Sequence, residues 1–325
     1  MIGAICQAGH DAEQGGLGTP VTTTLSSASR WQLSLGYRWQ DSFRHFVGNV
    51  EQKQRETLHT FIENKVHLFD VALSYRVSPR WSLSFGAPIM TADRIGHRTH
   101  AVTHSTGVGD ISIGAKTWIF RPPTESRQNI QVGYSIKLPT GKYDVSNTNA
   151  AGVTQNVDQS IQLGDGSLGF SLDYMAFKSI RRFTVFSAGV YLFNPRNTNG
   201  VQTGRNPVTL SGEGIMSVAD QYLWQAGVGY AVPKLNGLAF TLTGRMEGVP
   251  ARDLLGKEDG FRRPGYAVSV GPGIMFSRGQ DTWSASFPMA VRRDRTRSVQ
   301  DITAGRHGDA AFADGLVLVN FSRTF

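Results

Sequence analysis

The stretch GHRTHAVTHS contains the residues whose types and spacing come closest to a reactive centre. It places His97, His100 and His104 within eight residues, and imidazole nitrogens are common zinc ligands. However, the stretch carries no pair of carboxylates, and its polar character is typical of a solvated loop. We therefore expect no metal site and no cofactor.

His104 is followed directly by Ser105, which invites comparison with a barrel phospholipase of twelve strands. Such an enzyme needs the serine and the histidine on its outer wall, with a third polar group that orients the base. Both residues are predicted to lie in a loop. We therefore expect no catalytic residues, and hydrolysis is kept only as the least favoured alternative.

Charged residues on the polar faces of predicted strands suggest a different role, that of lining a lumen. These lumen-lining candidates are Arg38, Asp70, Arg76, Lys116, Lys137, Asp173, Arg245, Glu247 and Arg292. Their excess of basic groups would raise the local concentration of anions by electrostatic focusing. The alternative is a set of internal ion pairs that brace the wall, for example Arg245 with Glu247 or Asp253.

An aspartate recurs where predicted strands descend from long loops. Asp110, Asp165 and Asp220 are 55 residues apart, and Asp314 follows in the last such position. Together with Arg262 and Arg263, these residues are candidates for the outer mouth of the lumen. The aspartates would form either an acidic ring at that mouth or a set of local hydrogen bonds that terminate the loops.

The placement of all these residues depends on segments in which apolar and polar residues alternate. In WQLSLGYRWQ, the residues Trp31, Leu33, Leu35, Tyr37 and Trp39 share one face, and the residues between them share the other. A period of two is typical of a strand with one apolar face. Twelve such segments occur from Trp31 onward.

The connections between these segments alternate in length. Short turns at 78–80, 121–127, 178–182, 233–237 and 277–281 separate long polar connections near 40–65, 92–107, 139–160, 194–218, 249–264 and 293–312. Bacterial outer-membrane barrels have this alternation of short and long connections, with an even number of strands. In a soluble sandwich or propeller, short and long connections would not alternate in this way. The sequence predicts an all-β fold, a single transmembrane antiparallel β-barrel of about 12 strands, with short periplasmic turns and long extracellular loops.

Composition limits the remaining possibilities. Cys6 is the only cysteine among 325 residues, which excludes a disulfide framework. The net charge of +8 would suit nucleic acid, but no basic stripe interleaved with aromatic residues occurs, so we expect no nucleic-acid partner. Residues 1–28 are predicted to be a leader segment, a remnant of a signal peptide, and residues 29–325 to be the barrel.

The chain ends in LVLVNFSRTF, an alternating strand that closes on an aromatic residue. Val317, Val319, Phe321 and Phe325 share one face. This ending resembles the signal by which the outer-membrane barrel assembly machinery recognises its substrates, and we expect that machinery to be a partner.

The glycine-rich phrases GVGD, LGDG, EGVPARDLLGKEDGFRRPGYAVSVGPG (247–273) and RHGDAAFADGLVLVNFSRTF resemble those of an outer-membrane protein family labelled "MetA-pathway of phenol degradation". The resemblance covers most of the chain from Trp31. It implies a barrel that admits aromatic or other small molecules.

The sequence thus predicts a channel of the bacterial outer membrane, for passive passage of small solutes, aromatic or anionic, and not an enzyme. Its expected surroundings are the lipid bilayer and lipopolysaccharide. The alternative is a structural or partner-binding barrel with a sealed lumen.

Overall fold

The computed structural model describes residues 30–120, 126–149, 151–205, 210 and 212–325; the predicted leader, residues 1–28, lies outside them. The strands of the described residues are β1 (Trp31–Val47), β2 (Val50–Glu51), β3 (Ile62–Arg76), β4 (Trp81–Gly96), β5 (Ala101–Val108), β6 (Ser112–Trp118), β7 (Gln128–Lys137), β8 (Ser146–Thr148), β9 (Thr154–Asn156), β10 (Gly169–Ile180), β11 (Phe183–Phe193), β12 (Thr198–Gln202), β13 (Ile215–Ser217), β14 (Gln221–Ala231), β15 (Leu238–Val249), β16 (Gly265–Arg278), β17 (Asp281–Ser286), β18 (Met289–Asp294) and β19 (Ala310–Thr324). Two short helices, α1 (Gln54–Thr57) and α2 (Val299–Thr303), and a 3₁₀ turn (Gln159–Ile161) lie between them. No helix in the described part of the chain is both long and apolar enough to span a membrane.

The strands form one closed antiparallel barrel. Neighbours along the chain pair in order around the wall, and β19 returns to pair with β1. One wall position is shared by β5 and β6, which pair with different halves of β4, and another is shared by β17 and β18, which pair with different halves of β16. Counted in this way the wall has twelve strands, which confirms the prediction from the sequence.

The wall is apolar outside and polar inside. On β3, Phe69 is 48% exposed on the outer surface, while the next residue, Asp70, is 4% exposed on the inner face. The same alternation appears on β10, where Phe170 and Leu172 are exposed and Ser171 is buried. An outward apolar surface is what lipid requires, and ladder closure leaves no unpaired strand edge. The fold is therefore a transmembrane β-barrel.

Connections sort by length between the two ends of the barrel, which we call the short-turn end and the long-loop end. The short-turn end holds both ends of the paired wall, since Trp31 and Phe325 exchange two backbone hydrogen bonds of 3.0 and 2.8 Å. The long-loop end holds the connections 138–168, 194–220, 250–264 and 295–309. The predicted turn at 121–127 lies partly outside the described residues.

One predicted long loop, 92–107, is wrong. The chain there forms a β-hairpin in which β4 and β5 pair from Ile89↔Val108 to Gly96↔Ala101. Its polar residues indicated a loop, but they reflect the exposure of a hairpin that extends beyond the wall. The hydroxyls of Thr91 and Thr106, 2.9 Å apart across the pair, illustrate how polar side chains support a strand there.

The closing strand has the two faces that its sequence indicates. Val319 is 42% exposed on the outer face, and the ring of Phe321 lies 5.4 Å from that of Trp283. Leu318 and Asn320 are buried on the inner face. Assembly of the last strand therefore completes both the outer apolar surface and the inner lining.

Deletion of Phe325 removes the backbone pair with Trp31 at the final rung of the closing ladder. Two hydrogen bonds at about 0.5–1.5 kcal/mol each are lost, so we expect a smaller fraction of heat-modifiable, folded protein on unheated gels. Phe325→Ala keeps the backbone pair and serves as the control. Equal folded fractions for the deletion and the wild type would contradict the prediction that the Trp31–Phe325 backbone pair stabilises closure of the barrel.

Candidate functional site

A cavity of about 270 Å³ lies inside the barrel toward the long-loop end. One side of its lining is charged or polar, and the other is built of small or apolar residues. The first group comprises Arg38, Gln40, Gln159, Gln221, Glu247, Arg262 and Arg263; the second includes Ala267, Pro288, Ala290, Ala311, Ala313, Gly315 and Leu316. The cavity therefore has two chemically different walls.

Glu247 is the centre of the polar wall. Its carboxylate accepts hydrogen bonds from Arg38, at 3.1 Å from Nη1 and 2.9 Å from Nη2, and from Arg245 Nη2 at 2.9 Å. Arg38 lies on β1 and Glu247 on β15, strands that are not neighbours in the sheet, so this ion pair crosses the interior. The predicted alternative of internal ion pairs is supported here, with Arg245 paired to Glu247 and Asp253 paired to Arg262.

Asp158 is the centre of a second cluster, at the start of the 3₁₀ turn. Arg263 donates to both carboxylate oxygens, at 2.8 and 2.7 Å, and Arg94 Nη2 lies 3.4 Å away. Burial alone would raise the pKa of Asp158, but the guanidiniums of Arg263 and Arg94 outweigh it and hold that pKa well below its usual range. The carboxylate also accepts from the backbone N–H of Ser160, which caps the turn.

The segment 154–163 is anchored inside the long-loop end by apolar contacts. Val157 and Ile161 pack against the inner side chains of β3 and β4, in a cluster with Val66, Leu68, Met90 and Ala92. Two side-chain hydrogen bonds hold it in place: Ser105 Oγ of β5 donates to the Ile161 carbonyl, and Gln159 Nε2 of the segment donates to the Ser217 carbonyl. Sequence reasoning missed this insertion, although the apolar residues Val157 and Ile161 within a polar loop were its available signal.

The aspartates predicted at the mouth are mostly structural. Asp110 and Asp165 are buried, and both contact Lys137 Nζ. Asp110 accepts from the backbone N–H groups of Gly141 and Asp165, at 2.9 and 3.2 Å. These bonds support the interpretation in which the aspartates terminate loops, and they leave little of either carboxylate facing a lumen.

Asp220 is fully buried and joins two loops. It accepts from the backbone N–H of Asn194 at 2.7 Å and from that of Leu254 at 2.9 Å. Burial raises the pKa of Asp220 despite these bonds. Asp314 differs, because its half-exposed carboxylate binds the guanidiniums of Arg44 and Arg293.

Arg262 is buried and chelates the Asp253 carboxylate, with bonds of 2.7 and 2.8 Å. Lys116 and Asp173 lie 3.7 Å apart on the inner wall. Arg76 is half-buried at the short-turn end of β3.

The alternation of the sequence predicts Arg292 on the inner face of the wall and Arg293 on the outer face, and the structure has the reverse. Arg292 is exposed, and Arg293 is the buried member of the pair. The reason is a register shift between β16 and β18, where Val268 pairs with Arg292 and Ser269 with Ala290. One extra residue in a strand exchanges its faces.

The histidines of the opening stretch do not converge. His97 Nε2 lies 2.9 Å from Glu63 and His104 Nδ1 lies 2.7 Å from Asp93, in separate pairs. No group of three metal-ligating side chains occurs in the described ranges. Ser105 is buried and bonded to the Ile161 carbonyl, so it is turned away from its neighbour His104.

Closed pairing, an apolar exterior and a polar interior that holds a cavity define this molecule as a transmembrane β-barrel of the outer-membrane type. The chain belongs to the family described as "Putative MetA-pathway of phenol degradation", whose model matches residues 89–297. No curated protein matches the sequence.

Solved structures resemble the chain at low sequence identity. An outer-membrane channel from Pseudomonas putida F1 is 12% identical with a TM-score of 0.65, over 94% of this chain and 99% of that one. The translocator domain of the autotransporter NalP from Neisseria meningitidis is 11% identical with a TM-score of 0.49, over 98% of this chain and 95% of that one. The first likeness supports the barrel fold alone.

Replacing Asp158 by Asn should release the segment 154–163. The substitution leaves Arg94 and Arg263 without their shared carboxylate, which weakens the anchoring by about 1.5–3 kcal/mol. We expect faster tryptic cleavage after the exposed Lys142 in the same connection. Asp144→Asn, an exposed position of that connection, is the control, and equal cleavage rates in the two variants would contradict the anchoring role.

Acid should release the same segment in the wild type. The folded-state pKa of Asp158 is depressed, so its contribution to anchoring is fully present above the unfolded value of about 3.9. That contribution is lost as the pH falls through the folded pKa. We expect protection of residues 138–168 from pepsin to persist at about pH 4 and to decline only below it; loss of protection above about pH 5 would contradict this assignment.

Proposed function

We propose that the protein is a channel of the bacterial outer membrane, through which small solutes pass passively by way of the interior cavity. The observation that carries the proposal is the cavity of about 270 Å³ enclosed by a closed barrel wall. Sites that bind small molecules are typically concave and lined mainly by apolar residues with a few placed polar groups. The two walls of this cavity have that composition.

The proposed setting follows from the barrel surface. The outer apolar face lies in the bilayer, both ends of the paired wall lie on the periplasmic side, and the long loops meet lipopolysaccharide. The last strand, with Val319, Phe321 and Phe325, is the element we assign to recognition by the barrel assembly machinery. The likeness to the outer-membrane channel of Pseudomonas putida supports this setting through its fold.

The charges around the cavity favour anions weakly. Three guanidiniums and one carboxylate line it. With the other members of their ion-pair clusters included, which are Arg94, Arg245, Asp158 and Asp253, five guanidiniums face three carboxylates. Part of the basic excess expected from the sequence is therefore offset, and two net positive charges remain near the polar wall. Aromatic solutes are the class we propose for the apolar wall, and the family's description, which names phenol degradation, supports that choice.

A second candidate is a barrel whose lumen is kept sealed. The observations that favour it are the segment 154–163, which packs inside the long-loop end, and the Arg38–Glu247 ion pair, which crosses the interior. The hydrolase alternative has less support, because Ser105 and His104 do not form a pair. Conductance therefore separates the two remaining candidates.

In planar bilayers under a KCl gradient, we expect a reversal potential that indicates a slight preference for anions. Arg38→Gln removes one of the two net positive charges of this set, so the preference should decrease. Arg292→Gln removes an exposed charge outside the cavity lining and should leave the preference unchanged. The preference should also decrease as salt shortens the Debye length below about 10 Å, its value near 0.1 M.

Cation preference in the wild type would contradict the charge assignment while leaving the channel intact. Absence of conductance, together with no swelling of proteoliposomes in arabinose, would reject the channel and favour the sealed barrel. An equal effect of Arg38→Gln and Arg292→Gln would show that the cavity does not set selectivity.

A further inference from the structure

Arginines outnumber carboxylates in a group of ion pairs inside the long-loop end, which we call the arginine network. Its members come from the outer part of β4 and from the four connections 138–168, 194–220, 250–264 and 295–309. Its carboxylates are those of Asp158, Glu213 and Asp301, and its guanidiniums are those of Arg94, Arg205, Arg263, Arg295 and Arg306. The network therefore carries two net positive charges, and the neighbouring Arg55–Asp309 pair, with one charge of each sign, does not change that difference.

Each carboxylate of the network is shared by two guanidiniums, as Asp158 is. Glu213 accepts from Arg205 Nη1 at 2.8 Å and also from Arg306. Asp301 binds Arg295 Nη2 at 3.0 Å and lies 3.6 Å from Arg306 Nε. In the part of the chain that the structure describes, the Nε atoms of Arg295 and Arg306 are buried without a hydrogen-bond acceptor. The network is thus short of acceptors as well as of negative charge.

The ring of Phe261 joins the two halves of the network. The Cζ atom of Arg205 lies 3.8 Å from the ring centroid, and that of Arg263 lies 4.6 Å from it. Both contacts are cation–π interactions. The ring is held in place because the backbone of Phe261 bonds to Ile215 at 2.7 Å and to Ser217 at 3.0 Å. Two guanidiniums that pair with different carboxylates are therefore held close to each other.

The excess positive charge is accessible at these two guanidiniums. The side chains of Arg205 and Arg263 are 32% and 20% exposed, whereas that of Arg295 is 3% exposed. Burial, and after it the positive charge of Arg263, lowers the pKa of Arg205. Arg263 also lines the interior cavity. A bound anion would relieve the repulsion between the two guanidiniums at the long-loop side of that cavity.

We propose that Arg205 and Arg263 together bind the carboxylate of a small organic anion at the long-loop side of the cavity. This inference rests on the proposed channel function and names carboxylates as a substrate class. A guanidinium has five N–H donors. Among the described residues, that of Arg205 donates once, to Glu213, and that of Arg263 donates twice, to Asp158. Further N–H groups are thus available, and their planar fork matches the two oxygens of a carboxylate.

The first test measures binding without any need for conductance. The probe is 4-fluorobenzoate, because the cavity that Arg263 lines also has an apolar wall that suits an aromatic ring. The fluorine NMR line of the probe is recorded with the protein in nanodiscs and with empty nanodiscs as the blank. We expect the protein to broaden the line, and we expect Arg205→Gln to raise the dissociation constant about tenfold, because a charge-assisted hydrogen bond is lost.

The matched control is Arg252→Gln. Arg252 lies in the connection 250–264, its side chain is 69% exposed, and its nearest carboxylate, that of Glu258, is 4.0 Å away. This variant removes the same charge from the same end of the barrel, and its dissociation constant should equal that of the wild type. An equal loss of affinity in the two variants would reduce the effect to net charge and overturn the site. Unchanged affinity in Arg205→Gln would overturn it as well.

The neutral analogue 4-fluorobenzyl alcohol tests whether the carboxylate is what the protein recognises. It should broaden much less than 4-fluorobenzoate, and equal broadening of the two lines would overturn the proposal. The heat-modifiable gel shift checks that each variant is folded.

A second measurement relates the site to passage. In planar bilayers, benzoate added at the long-loop side should reduce the KCl current, and Arg205→Gln should require about tenfold more benzoate for half-reduction, in line with its weaker binding. Arg252→Gln should behave as the wild type. A protein that binds 4-fluorobenzoate but does not conduct would reject the channel and leave the site standing. A protein that conducts but neither binds the probe nor responds to benzoate would reject the site alone.

Discussion

The need to pair backbone N–H and C=O groups across a closed ladder is the constraint on which the rest of the molecule depends. In lipid there is no water to take the place of a missing partner, so β19 must return to β1. Closure fixes the alternation of faces, and alternation brings Arg38, Asp70 and Arg245 inward while Phe69 and Val319 lie outside. The interior is therefore crowded with charges that cannot be buried alone and must be satisfied there.

The interior charges are satisfied in clusters that also shape the cavity. Glu247 receives one guanidinium from its own strand, that of Arg245, and one from β1, that of Arg38, and Asp158 receives two more in the long-loop end. Each cluster holds one boundary of the cavity in place, the first through the wall and the second through an inserted loop. The same residues thus decide how much of the lumen is filled and which charge a solute would meet.

The features that repeat along the chain were predictable from the sequence, and those that depend on distant residues were not. The alternation in Trp31–Trp39 and in the last strand indicates which residues face outward and which face inward, because a period of two is a local property. The number of segments with this alternation indicates the number of strands. The hairpin of β4 and β5 was mistaken for a loop, since exposed strands and loops share polar composition. The exchange between Arg292 and Arg293 required a bulge that leaves no clear signal in one sequence. The Arg38–Glu247 pair joins residues 209 positions apart, and nothing near either residue indicates the other.

The separation of Arg38 and Glu247 along the chain also determines when their ion pair can form during assembly of the barrel. The cross-lumen pair joins the first wall strand to the ninth of twelve, so its geometry exists only after both strands have taken their places in the wall. Contacts between residues so far apart in sequence carry a large entropic cost of loop closure, and they slow the folding of β proteins. Until then the guanidinium of Arg38 has to remain hydrated. Water must therefore stay beside Arg38 until the strand that carries Glu247 is in place.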